Sequence, residues 1–187
     1  NYNLMSSDTG MLVVSPNITV MTQSASKMYD GTPLMNPGYK VYGLESMDTL
    51  LVDLTIASVT DADTLVNDYS NARFVLKSDF SQASPTVYTI ENEIKGTLSV
   101  IRRNVTIHTG SITHEYDGNT YYNGEVTISG DGFATGEEPV ITASETITNV
   151  DVKPNSYVIA NPEVFNPSNY NITPNPGTLT ITARPLN

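Results

Sequence analysis

Apolar and polar residues alternate with period two along much of this chain, which is the signature of strands with one buried face. In the first half the alternation covers residues 18–22, 39–42, 74–76, 86–90 and 97–101, with a further strand or two over 50–59. In the second half it covers 105–109, 125–129, 140–143, 157–160, 169–173 and 178–182. Turn chemistry separates these runs: Asp30-Gly31-Thr32-Pro33 in the first half, and Pro139, Pro154, Pro162, Pro167, Pro174 and Pro176 in the second. No segment sustains a helical period. The best helical candidate is residues 61–68, which would make a turn or two.

The two halves are copies of each other. Asn17-Ile18-Thr19-Val20 matches Asn104-Val105-Thr106-Ile107, and the same offset of 87 places Tyr29-Asp30-Gly31 on Tyr116-Asp117-Gly118 without a gap. The closing strands match as well, Gly96-Thr97-Leu98-Ser99-Val100 against Gly177-Thr178-Leu179-Thr180-Ile181 at an offset of 81, so copy one is longer inside. Self-similarity of this kind is the mark of a repeat protein. Copy one spans residues 17–102 and copy two residues 103–187. Residues 1–16 read as the closing strand of a preceding repeat, because Asn1-Tyr2-Asn3-Leu4 resembles Asn169-Tyr170-Asn171-Ile172.

With about six or seven short strands in each copy, the expected fold is all-β: two tandem small Ig-like β-sandwich modules. β-grasp-like modules are the alternative, and copy two lacks the helix they need. The linkers, Ser15-Pro16 and Arg102-Arg103, are too short to act as loose tethers.

Composition narrows the function classes. Twenty acidic against nine basic residues give a net charge of −11, which opposes binding to nucleic acid or insertion into anionic membranes. There is no cysteine, hence no disulfide or thiolate metal site. Asn1-Tyr2-Asn3 lacks the basic and apolar regions of a signal peptide, so a secreted parent would make this an internal piece.

Candidate chemistry is sparse. The tripeptides Tyr29-Asp30-Gly31 and Tyr116-Asp117-Gly118 read as a structural turn, with a packed tyrosine, an aspartate capping the turn and a glycine supplying a left-handed backbone angle. His108 and His114 lack a third zinc ligand in sequence. Asp61, Asp63 and Asp131 are the calcium candidates, although none has the spacing of a closed oxygen loop, and solvated loop charge is the simpler expectation. No cofactor other than calcium is suggested. Tyr116, Tyr121 and Tyr122 form the aromatic cluster best placed in sequence to stack on a sugar ring. No catalytic motif is present, so the chain is expected not to be an enzyme. Lys27, Lys40, Lys77 and Lys153 do not recur between copies, and no Lys–Asn amide cross-link is expected.

Three stretches carry a family resemblance: Ser26-Lys27-Met28-Tyr29-Asp30-Gly31-Thr32-Pro33-Leu34, Tyr42-Gly43-Leu44, and the closing Asn169-Tyr170-Asn171-Ile172 with Gly177-Thr178-Leu179-Thr180-Ile181-Thr182. Together they resemble the YDG/MBG-type repeats of large bacterial cell-surface proteins and adhesins. The resemblance covers nearly the whole chain, twice over. It implies an extracellular location on the cell surface or wall, with neighbouring repeats of the same chain as partners and a stalk or spacer role projecting a binding region. Copy two departs from it, with Asn119-Thr120-Tyr121 where copy one has Thr32-Pro33-Leu34. Two other functions stay open: a binding module for host glycan or protein, and a subunit that polymerises by strand addition through residues 1–16.

Overall fold

A computed structural model describes residues 2–6, 12–81 and 88–185. The chain is all-β, with 51% of the described residues in strands and 4% in helical turns. It divides into two compact units, Asn1–Lys27 with Thr32–Val100 and Met28–Gly31 with Ile101–Asn187. The four residues Met28–Gly31 of sequence copy one thus belong to unit two. Among the described residues no helix is long and apolar enough to cross a membrane.

The first nine strands are β1 (Tyr2–Ser6), β2 (Leu12–Thr22), β3 (Ala25–Met28), β4 (Tyr39–Tyr42), β5 (Asp48–Asp53), β6 (Thr64–Val66), β7 (Ser70–Leu76), β8 (Thr89–Ile94) and β9 (Thr97–Ile101). The next eight are β10 (Arg103–Thr109), β11 (Ile112–Glu115), β12 (Val126–Gly130), β13 (Ile141–Ala143), β14 (Asp151–Pro154), β15 (Tyr157–Ile159), β16 (Tyr170–Asn175) and β17 (Thr178–Thr182). Short 3₁₀ turns at Pro162–Val164 and Pro167–Asn169 lead into β16.

The sheets repeat strand for strand. In unit one β2 lies between β4, antiparallel, and β8, parallel; in unit two β10 lies between β12 and β16 in the same senses. The sheet β3-β9-β6 corresponds to β11-β17-β14, and the two-stranded antiparallel sheet β5–β7 to β13–β15. Even the isolated bridges agree, Leu34 with Val59 and Tyr121 with Ile147. This is a β-sandwich-like arrangement in which the first strand of each copy and its last two strands change sheets together. Alternation puts Ile18 and Val20 of β2 against Leu50 in the core of unit one. In unit two Leu179 and Ile181 of β17 pack against Ile147.

The sheet change is held by a polar lock present twice. In unit one the Thr22 hydroxyl donates to the Asn67 carbonyl and accepts from the Gly96 amide, while Asn67 Nδ2 donates to the carbonyls of Gln23 and Asn36 at 2.8 and 2.9 Å. In unit two Thr109, Asn155 and Gly177 do the same, with Asn155 Nδ2 donating to Gly110 and Asn123 at 2.9 and 2.8 Å. Asn36 and Asn123 extend the lock by donating to the carbonyls of Ser24 and Ser111. Asn67 and Asn155 are fully buried. Buried amides of this kind are tolerated because they satisfy backbone carbonyls stranded where one sheet hands over to another.

Three sequence expectations differ from the structure. Residues 61–68 make no helix: Thr64–Val66 is strand β6, antiparallel to β9, because Thr64 and Val66 are β-branched and β9 offers an open edge. Pro154 and Pro174 lie inside strands rather than between them, on β14 and β16, which are both edge strands where a missing N–H breaks no ladder. Strands β3, β11 and β14 lie where the sequence pattern predicts none. The expected closing strand at residues 1–16 lies partly outside the described residues; its described part is β1 and the first half of β2, paired antiparallel from Tyr2 with Pro16 to Ser6 with Leu12.

Candidate functional site

The two Tyr-Asp-Gly turns share one backbone. The Tyr29 and Tyr116 amides donate to the carbonyls of Ile101 and Thr182 at 2.8 and 2.9 Å. Gly31 and Gly118 have φ of +79° and +85°, and a Cβ at either would meet no atom within 4 Å, so conformation alone calls for glycine. Asp117 Oδ1 accepts from the Asn119 amide, and Oδ2 accepts from the Tyr121 hydroxyl at 2.6 Å. The Tyr121 bond, followed by those from Asn119, holds the Asp117 carboxyl below its usual range. Tyr121 also stacks on His114, with ring centres 3.8 Å apart.

The tyrosine side chains, by contrast, have opposite fates. Tyr116 is 42% exposed, whereas Tyr29 is 6% exposed within unit two. The Tyr29 hydroxyl donates to Glu137 Oε1 at 2.7 Å, and its ring meets Tyr170 edge-on at 5.8 Å. Tyr170 donates its hydroxyl to Glu137 Oε2 and accepts from the Ala134 amide. Phe133 and Phe165 pack on Tyr170 at 5.1 and 5.6 Å. Arg103 donates to the carbonyls of Tyr29, Asp131 and Gly132. One carboxylate thus ties two tyrosine hydroxyls inside an aromatic cage, with the guanidinium bracing the backbone around it.

Burial first, and a carboxylate second, raises three tyrosines above the ordinary value of 10.0: Tyr69 beside Glu93, Tyr170 beside Glu137, and Tyr88 beside Asp48, the last to about 12. A tyrosine whose folded value is raised stabilises the fold fully below its unfolded value. That stability is lost as pH rises through the folded value. The fold is therefore expected to hold up to about pH 10 and to weaken across pH 10 to 12. Ultraviolet titration of tyrosinate should show late-ionising tyrosines among the eleven in the chain. A single step near pH 10 with the fold intact would contradict these hydrogen bonds.

The remaining sequence candidates lie apart. Tyr122 is 68% exposed, while Tyr121 is partly buried against Ile147 and committed to Asp117 and His114. His108 is on β10 and His114 on β11, strands of different sheets; His108 meets Ser129 and Asn175 instead. Asp63 and Asp131 accept from the backbone amides of Thr64 and Asn104, and Asp61 lies in the same exposed bend as Asp63. Among the described residues no group of three or more His, Cys, Asp or Glu side chains could hold a metal ion. Lys27, Lys77 and Lys153 direct their ammonium groups to Thr32, the Ser46 carbonyl and Glu145.

Sequence reasoning missed Glu137 and Arg103, whose partners are distant in the chain, and the buried asparagines. A signal for the latter did exist, because Asn36 recurs as Asn123 and Asn67 as Asn155 once the copies are aligned. No family model, curated protein or solved structure matches this chain.

Proposed function

We propose that these units are structural spacer repeats of a bacterial cell-surface protein, non-catalytic themselves, which carry a binding region away from the cell wall. The observation that carries this reading is the contrast between interior and surface. The order and sense of strand pairing recur in both units, and the buried Thr–Asn–Gly lock recurs bond for bond. Outside the interior the copies diverge at several positions: half-buried Lys27 becomes His114, and exposed Met35 becomes Tyr122, although the exposed Asp-Gly of the turn recurs. A repeated scaffold needs its fold preserved and leaves its solvent face free to vary, as repeat arrays do. The resemblance to YDG/MBG-type surface repeats and the acidic, cysteine-free composition support the same reading.

The test has two arms. Immobilised on glycan arrays and mucin, the chain is expected to show no saturable binding. In the parent protein displayed on cells, replacing both units with an unrelated pair of β-repeats is expected to preserve adhesion, whereas deleting them weakens it. The exposed Tyr116 and Tyr122 favour a second reading, a glycan- or protein-binding module. Saturable binding that disappears with Tyr122→Ala would establish that reading and overturn the spacer role. Polymerisation by strand addition is the least supported, since Tyr2–Ser6 already pairs with β2 in its own chain.

A further inference from the structure

The cage around Tyr29 has a counterpart in unit one in which no described side chain takes the place of Tyr29. In unit two a tight turn closes with the Glu137 amide donating to the Ala134 carbonyl at 3.0 Å. The amide at the start of that turn donates to the Tyr170 hydroxyl, and the carboxylate at its end accepts from the same hydroxyl. In unit one the Asp48 amide donates to the Glu45 carbonyl at 3.1 Å. There the Glu45 amide donates to the Tyr88 hydroxyl at 3.4 Å, and Asp48 Oδ2 accepts from it. Tyr88 is also the positional twin of Tyr170: Thr89 pairs with Asn17 as Asn171 pairs with Asn104. Phe74 packs on Tyr88 with ring centres 5.0 Å apart, as Phe165 does on Tyr170.

Two differences leave the unit-one cage open. Glu137 uses both oxygens, one for each tyrosine, whereas Asp48 gives only Oδ2 to Tyr88, and no described residue bonds its Oδ1. Beside Asp48 lies a cavity of about 530 Å³ lined by Tyr39, Tyr42, Leu44, Glu45 and Lys77 among others. The complementary piece is present in the same molecule. Tyr116 sits on the counterpart of the Tyr29 turn, 42% exposed, and no described residue bonds its hydroxyl.

We propose that the Glu45–Asp48 turn with Tyr88 and Phe74 is a docking seat for the Tyr116-Asp117-Gly118 turn of a second copy of this chain, joining copies head to tail. The Tyr116 hydroxyl donates to Asp48 Oδ1, and its ring meets Tyr88 as Tyr29 meets Tyr170. Plug and seat are different surfaces, so the contact is heterologous and each added copy presents a fresh plug. Pro16 stands where unit two has Arg103, so this seat lacks the guanidinium brace and the association is weaker than the hold on Tyr29.

Sedimentation equilibrium of the 187-residue chain is expected to show concentration-dependent, open-ended association. Tyr116→Ala, at an exposed site that leaves the fold intact, is expected to lower the association constant by about tenfold or more, as loss of a central tyrosine does at interfaces. Asp48→Asn, which keeps the shape of the seat, is expected to weaken association as well. An equimolar mixture of the two variants should stop at dimers, because only one good plug–seat pair is left. A benzoylphenylalanine photo-cross-linker at position 116 should join to residues 42–49 of another chain. A chain that stays monomeric throughout, association unchanged by Tyr116→Ala, or cross-links only to other surfaces would each overturn the proposal.

Discussion

A Gly177→Ala chain is expected to lose about 3 kcal/mol or more of stability in unit two, at the upper end of the range for overpacking. Gly177 opens β17 where the chain changes sheets, and its Cα lies directly over the backbone of the segment that follows β10. A Cβ there would sit 2.4 Å from the Gly110 carbonyl oxygen and 2.5 Å from the Thr109 oxygen. These are main-chain atoms, and they cannot swing aside as a flexible side chain can. Moving Gly177 away would also break its amide bond to Thr109 Oγ1 and the bond its carbonyl accepts from Asn155. Gly96 makes the same approach to Gln23 in unit one. Gly124→Ala is the control, since its Cβ would meet only the Tyr122 ring at 3.6 Å; its effect is expected within about 0.5 kcal/mol. Denaturant unfolding followed by hydrogen exchange should find the loss of protection in β10, β11 and β17. A Gly177→Ala chain within about 1 kcal/mol of the parent would refute the close approach of these segments.

Asn155→Ala is expected to cost about 2 kcal/mol or more, because it leaves two part-buried carbonyls without their side-chain donor and empties a fully buried site. The side chain is fully buried, and its amide nitrogen is the donor for both Gly110 and Asn123. Asn155→Asp separates hydrogen bonding from packing. It keeps the volume but turns the donor toward two carbonyls into an acceptor, so it is expected to cost at least as much as alanine. If aspartate were tolerated better than alanine, the asparagine would be filling space rather than satisfying the crossover. Asn67→Ala is the matched substitution in unit one, where the donors serve Gln23 and Asn36. Thermal unfolding with exchange resolved by peptide distinguishes the units.

Much of this architecture was legible in the chain, and for local reasons. Alternation at 97–101 and 178–182 became β9 and β17 with the same bounds, because burying every second residue of a strand needs no knowledge of its partner. The Tyr-Asp-Gly turn was legible because positive φ belongs to glycine whatever surrounds it. Residues 61–68 were misread because their acidic, helix-compatible look is a local propensity, and pairing with β9 overrides it. For the candidate site, Tyr116, Tyr121 and Tyr122 stood out as aromatic neighbours in sequence. Glu137 and Arg103 carry no local mark, and each becomes visible only when Tyr29 is placed beside it.

The sequence by itself determined that the chain is β throughout, that it holds two copies of one plan, and where most strands and both glycine turns fall. Each of these follows from period, composition and backbone preference within a few residues. Tertiary structure alone decided that the first and last strands change sheets side by side, and hence why Gly96 and Gly177 tolerate no Cβ. It also decided that two asparagines lie at zero exposure, and that of two identical turn tyrosines one is enclosed and the other faces water. The physical reason is that burial of a polar or aromatic group depends on which distant atoms arrive to meet it, and the Asp-Gly that follows both Tyr29 and Tyr116 carries no mark of those atoms.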